Sequence, residues 1–212
     1  MTQTIILPRR ALLLGGAAFA LAGCSDLIGP GSSPVQLYKL NPSGGAPATG
    51  PKVSWQLAVA VPSATDYLDR ARIALMQADG SVDYYAGAQW TDHLPILVQE
   101  AMIEAFENSG RIDGVSADGA GFHADYILQT DLRDFQARYD QPDGIPTAVV
   151  RLEAKMAPMH GGSIMANLKA AHQVQATQNS VGAVVQAMDA ALGQALSEIV
   201  NWTLSQPAPM KR

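Results

Sequence analysis

The sequence predicts an α+β fold: a two-layer sandwich with a mostly antiparallel sheet and two long helices packed on one face. Three observations carry this expectation. Ala148 to Met156 and Ile164 to Ala176 alternate apolar and polar residues over two long, adjacent runs, the period of half-buried strands. Leu94 to Phe106 and Val181 to Trp202 instead repeat apolar residues every three or four positions, the stripe of a helix lying on a core. Strands also come in runs, not in regular alternation with helices, which favours hairpins over parallel crossover units.

The elements follow in order. Val35-Gln36-Leu37-Tyr38-Lys39-Leu40 alternates and predicts a short strand. Trp55, Leu57, Val59 and Val61 alternate with Ser54, Gln56, Ala58 and Ala60, a half-buried strand ended by Pro62. Arg72 to Met76 and Val82 to Tyr85 flank Asp79-Gly80, a hairpin signal. Trp90-Thr91-Asp92 opens a helix with Thr91 or Asp92 as its cap, and Asn108-Ser109-Gly110 closes it. Tyr126, Leu128 and Leu132 share one parity, whereas Phe135, Ala137 and Tyr139 take the other. That change predicts a β-bulge or bend near Arg133-Asp134. The two alternating strands follow with a turn at Gly161-Gly162, and Asn179-Ser180 caps the last helix.

Ahead of this body lies a leader. Arg9 and Arg10 precede a mostly apolar run, Ala11 to Ala22. The run is too short to span about 30 Å of hydrocarbon, which takes about 20 residues. It ends in Leu21-Ala22-Gly23-Cys24, and Cys24 is the sole cysteine of the chain. These four residues resemble the bacterial lipobox. The resemblance implies cleavage before Cys24, diacylation of its thiol and, usually, acylation of its new amino group. The alternative is a cleaved secretory signal with a stray cysteine, and the adjacent arginines leave Sec or twin-arginine export open. With no second cysteine the domain folds without an internal disulfide.

Four segments result: 1–23, a lipoprotein signal peptide; 24–51, a flexible Gly-, Pro- and Ser-rich tether with a short docked strand near 35–40; 52–204, the α+β domain; and 205–212, a disordered tail. Cleavage removes two arginines and no acid, taking the formal charge from −5 to −7. An acidic domain without a basic run is a poor electrostatic partner for nucleic acid or for anionic headgroups.

Candidate chemistry is sparse. His93, His123, His160 and His172 show no zinc-ligand spacing, and no cofactor or metal is expected. His172 falls on the apolar parity of its strand and reads as a core-edge imidazole bonded to the backbone, with a ligand or pH-switch role as the alternative. Asp125, Asp131, Asp134 and Arg133 read as a solvated strand face with local ion pairs. Ser63, Ser81 and Ser163 lack a nucleophile-elbow context, and Gly119-Ala120-Gly121 reads as a turn, so no catalytic residue is assigned. The polar loop Pro62 to Arg72 is the expected partner contact, through Tyr67, Leu68 and Arg70. The alternative is a surface connection whose Tyr67 and Leu68 pack on the sheet.

Several segments together carry a family resemblance. They are Leu37-Tyr38-Lys39-Leu40 soon after the lipobox, Leu68-Asp69-Arg70-Ala71-Arg72-Ile73, Tyr84-Tyr85 with Trp90, and Ala124-Asp125-Tyr126-Ile127-Leu128 with Asp134-Phe135. The final helix ends Glu198-Ile199-Val200-Asn201-Trp202. As an ordered set from Val35 to Trp202 they resemble the ABC-type transport auxiliary lipoprotein family. The resemblance implies a non-enzymatic periplasmic lipoprotein that docks to an MCE (mammalian-cell-entry) protein and its ABC permease and ATPase. Such systems move phospholipid or other hydrophobic compounds between membranes. Self-association is compatible with it. Ser25 after Cys24, with the first acid at Asp26, points the anchor to the inner leaflet of the outer membrane. A different reading is a lipoprotein that itself carries a hydrophobic ligand in a large apolar cavity between helices and sheet.

Overall fold

A computed structural model describes residues 34–43, 45, 49–121, 123–159 and 161–208. Among these residues nine strands and two helices follow one another as β1 (Gln36–Tyr38), β2 (Leu57–Val59), β3 (Ser63–Ala64), β4 (Arg72–Met76), β5 (Val82–Trp90), α1 (Leu94–Asn108), β6 (Val115–Ala117), β7 (Tyr126–Arg138), β8 (Thr147–Pro158), β9 (Ala166–Gln175) and α2 (Val181–Leu204). This is an open, mostly antiparallel α+β sheet: the long ladders β7–β8 and β8–β9, and the β4–β5 hairpin, are antiparallel.

The long strand β7 is the spine. One edge pairs with β8 along its whole length. The other edge is shared end to end by three short parallel partners, β2 at Tyr126–Leu128, β3 at Asp131–Leu132 and β4 at Ala137–Arg138. From β4 the sheet continues to β5 and then, in parallel, to β1. Helix α2 lies across β7, β8 and β9, and α1 lies beside it over β2 and β6. The alternating residues of β8, Ala148, Val150, Leu152, Ala154 and Met156, are all buried beneath this layer. Trp90 against Phe135 and Trp55 against Tyr126 add edge-to-face ring pairs with centroids 6.0 and 5.2 Å apart, a favoured aromatic geometry.

The parity change on β7 is a bulge. Leu132 opposes Leu152 and Asp134 opposes Arg151, leaving Arg133 as the extra residue. The bulge returns Phe135 and Ala137 to the same buried face as Leu128 and Leu132, so one strand faces the core along both halves. At the hairpin Gly80 takes φ +84, and the Asp79 carboxylate accepts from the Ser81 amide (2.9 Å) and hydroxyl (2.6 Å). Ser180 caps α2 by accepting from the Ala183 amide.

Three local expectations are corrected. The strand expected to be half-buried from Trp55 to Val61 is only Leu57–Val59 and is buried on both faces; its edges are paired with β6 and β7, and strands covered on both faces do not alternate. Trp90 ends β5 and does not open a helix; α1 starts at Leu94 with His93 at its cap position and Pro95 in its first turn. Asp92 accepts from the His93 amide at 2.6 Å instead of capping the helix. Among the described residues no helix is long and apolar enough to cross a membrane.

Candidate functional site

Leu21, Ala22, Gly23 and Cys24, where the anchoring chemistry is expected, lie outside the described residues, as does His160. The described residues from β1 onward are held firmly. After β1, Leu40 enters the core. The Asn41 amide donates to the Asp189 carboxylate at 2.8 Å and the Ser43 amide to the Asp189 carbonyl at 3.2 Å. Further on, the Thr49 amide donates to Asn201 Oδ1 at 3.0 Å, and the Val53 amide to the Arg111 carbonyl at 2.8 Å. The described residues 41–43 and 49 therefore lie along α2 as a strap, in the same direction as the helix. Its two anchor points on the helix, Asp189 and Asn201, stand about 18 Å apart along the axis. The described residues of the expected tether are thus bonded to the domain. Pro207, at the start of the expected tail, is bonded too, with Tyr126 Oη donating to its carbonyl at 3.1 Å.

Two residues of α2 make the strap possible. A Cβ at Gly193 would overlap the Ser43 carbonyl oxygen and stand 2.6 Å from its carbonyl carbon. Only glycine lets the two backbones meet there. Asp189 is buried among apolar neighbours, and desolvation raises its pKa above the ordinary aspartate value, partly offset by the Asn41 amide. Neither residue stands out by pattern except as a glycine within a long helical stripe and an acid on its buried side. Between the strap, α1 and α2 remains a cavity of about 280 Å³ lined by Ala101, Ala105, Gly193, Leu196 and Val200 among others.

The loop expected to contact a partner divides. Leu68 is 1% exposed and belongs to the core; it packs on the sheet and its side chain is unavailable to a partner. Tyr67 is half-buried, its pKa raised by burial and then by nearby Asp134, and its carbonyl accepts from Tyr84 Oη at 3.2 Å. Arg70 is exposed, with Nε donating to the Asp66 carbonyl at 2.6 Å. The carbonyl of Arg70 accepts from the Leu94 amide, and Asp69 lies 2.9 Å from His93 Nδ1. The loop is therefore seated on the start of α1, and only Arg70 of the three presents its side chain outward.

The carboxylates of β7 are engaged with cations on the sheet face opposite the helices. Asp131 and Glu153 oppose each other across β7 and β8, an unfavourable pairing by itself. The bulged Arg133 bridges them, Nη2 lying 2.7 Å from Asp131 and 3.0 Å from Glu153, and Lys155 adds a 2.7 Å bond to Asp131. Lys155 first, and then Ser63, hold the Asp131 carboxyl below its ordinary pKa. Asp134 pairs with Arg151, and Asp125 accepts from the Gln56 amide at 2.8 Å. His172 is half-buried as its parity suggests, but its partner is the Glu198 carboxylate of α2 at 2.9 Å and not the backbone. A carboxylate on the packed helix competes better than a strand carbonyl already committed to the ladder.

The comparisons with known proteins agree with this architecture. A family model described as the ABC-type transport auxiliary lipoprotein component matches residues 38–200. An uncharacterised protein of Bradyrhizobium diazoefficiens is 27% identical over 186 residues, 87% of this chain and 49% of that protein. The chain thus spans about half the length of this curated relative. A crystal structure of a DUF330-family protein from Xanthomonas campestris is similar with a TM-score of 0.73 at 30% identity, over 80% of this chain and 94% of that one. The crystal structure of another uncharacterised protein has a TM-score of 0.64 at 13% identity, over 81% and 99% of the two chains, a likeness of fold alone.

Proposed function

The chain belongs to the ABC-type transport auxiliary lipoprotein family, and from that premise we propose that it is a lipid-anchored periplasmic component of an MCE-type ABC transport system. It acts by docking its domain to the MCE assembly, beside the permease and ATPase, while that system moves phospholipid or other hydrophobic compounds between membranes. The observation that carries this reading is the family match over residues 38–200, which runs from the end of β1 into the last turns of α2. The family is one of transport auxiliaries and not of enzymes.

In this reading Cys24 is the acylation site, after cleavage between Gly23 and Cys24 in the Leu21-Ala22-Gly23-Cys24 lipobox, and Ser25, which puts the first acid no nearer than Asp26, points the anchor to the inner leaflet of the outer membrane. Two or three acyl chains give stable residence where one gives marginal binding. Segment 25–35 joins Cys24 to β1, and covalent geometry limits it to about 40 Å even when fully extended. The anchor then confines the domain near the membrane and raises its effective concentration at a membrane-bound partner. Docking is favoured over carriage of a hydrophobic ligand because the space between helices and sheet is occupied by side chains such as Met102, Phe106, Leu128, Leu152, Met188 and Leu192, none of them measurably exposed. Affinity purification of the full chain in mild detergent is expected to recover an MCE-domain protein. Cys24→Ala is expected to release the protein from membranes with its unfolding midpoint unchanged. Recovery of the anchored protein without any MCE or ABC subunit would refute the proposal.

A further inference from the structure

We propose that Arg111 and Lys52 form a binding site for a small oxyanion, a phosphate or carboxylate group, at the far end of the strap. Arg111 is 7% exposed and follows α1. Its guanidinium donates from Nε to the Pro51 carbonyl at 3.3 Å and from Nη1 to Asn201 Oδ1 at 3.1 Å. Both acceptors are neutral, and among the described residues no carboxylate pairs with it. Buried cations in folded proteins are ordinarily paired with an anion. Here the charge instead borders a cavity of about 680 Å³ that Lys52, Ser54 and Ser205 also line, a size suited to a small ligand.

Gly50 keeps the guanidinium uncovered. It takes φ +116, and a Cβ there would stand 3.0 Å from Nη2, so a side chain at position 50 would abut that nitrogen. Nη2 carries no hydrogen bond to a described residue, and a planar guanidinium edge matches the two oxygens of a carboxylate or phosphate. Lys52 supplies a second cation on the cavity wall. Its exposed partner Asp113 returns one negative charge, leaving the site net positive among the described residues. This inference is independent of the docking reading, since it requires neither the anchor nor the MCE assembly.

The test is titration of the full chain with inorganic phosphate and with acetate against sodium chloride at matched ionic strength. It is read by calorimetry and by backbone amide shifts. Saturable binding is expected, with shifts confined to Gly50, Lys52, Ser54 and Ser205. Arg111→Met is expected to weaken it about tenfold or more, and Lys52→Met to weaken it less, as for loss of one charged hydrogen-bonding partner. A parallel titration with dihexanoylphosphatidylglycerol separates the sources. Tighter saturation than by phosphate assigns the site to a lipid headgroup, equal or weaker saturation assigns it to a free anion, and both uphold an oxyanion site. Absence of saturable binding by all three probes would overturn the proposal. So would shifts scattered over other surface lysines, an adventitious ion only, in the wild-type chain, whatever the fate of the variants' folding.

Discussion

Replacing Gly193 by alanine sets two effects of opposite sign against each other. Within a helix, glycine to alanine stabilises by about 0.8–1 kcal/mol. At this position, however, the new Cβ would overlap the Ser43 carbonyl oxygen and come within 2.6 Å of its carbonyl carbon and 2.8 Å of its nitrogen. The obstacle is backbone on both sides, so the strap must lift. Lifting it breaks the Asn41 amide bond to the Asp189 carboxylate and the Ser43 amide bond to the Asp189 carbonyl. A bond to a charged group contributes about 1.5–3 kcal/mol and a neutral one about 0.5–1.5 kcal/mol. The packing loss wins, and Gly193→Ala is expected to destabilise by about 1–3 kcal/mol in urea unfolding. Hydrogen exchange should quicken at the Asn41 and Ser43 amides while the β7–β8 ladder keeps its protection. Combining Gly193→Ala with Asp189→Ala should cost less than the sum of the two, since both remove the same fastening. Stabilisation of the chain by about 1 kcal/mol, the propensity value alone, would refute a docked strap.

Two further outcomes concern the sheet and the loop. Lys155 and Ser63 hold the Asp131 carboxyl below its ordinary value of 3.8, so its contribution is present above that pH and is lost as pH falls through the lower folded value. Asp131→Asn should therefore lower stability by about 1 kcal/mol at pH 7, with the gap closing in the acid range. Urea midpoints across that range that keep a constant gap would contradict the ion-pair account. Leu68→Ala should cost about 2–5 kcal/mol as a core truncation, whereas Arg70→Ala should stay within about 0.5 kcal/mol. Chemical denaturation of the two variants separates a packing residue from a surface one, and an unchanged midpoint for Leu68→Ala would place its side chain outside the core.

What was legible in the sequence was whatever repeats along one element. Strands β8 and β9 and both helices show their inner faces as a period, and the bulge at Arg133 shows as one break in a period. Strands of three residues such as β2 and β6 are too short to carry one, and β2 is buried on both faces, so alternation misdescribes it. The loop around Leu68 has no period either, and nothing local says that Leu68 turns inward while Arg70 turns out. The candidate site suffered most. Its links join Asn41 to Asp189, Thr49 to Asn201 and Arg111 to Asn201, partners distant in sequence whose meeting depends on how the helices lie.

The sequence by itself determined the α+β class, the inner face of each long element and the ordered segments of the family resemblance, because side-chain periodicity and turn chemistry are local. It also placed the one cysteine where a lipid anchor is expected. Only the tertiary structure decided that residues 41–43 and 49 are strapped to α2, that Gly193 admits Ser43, and that Arg111 is buried with no carboxylate paired to it among the described residues. Those outcomes depend on close approach and desolvation between distant segments, which become physical quantities only when the layers are packed.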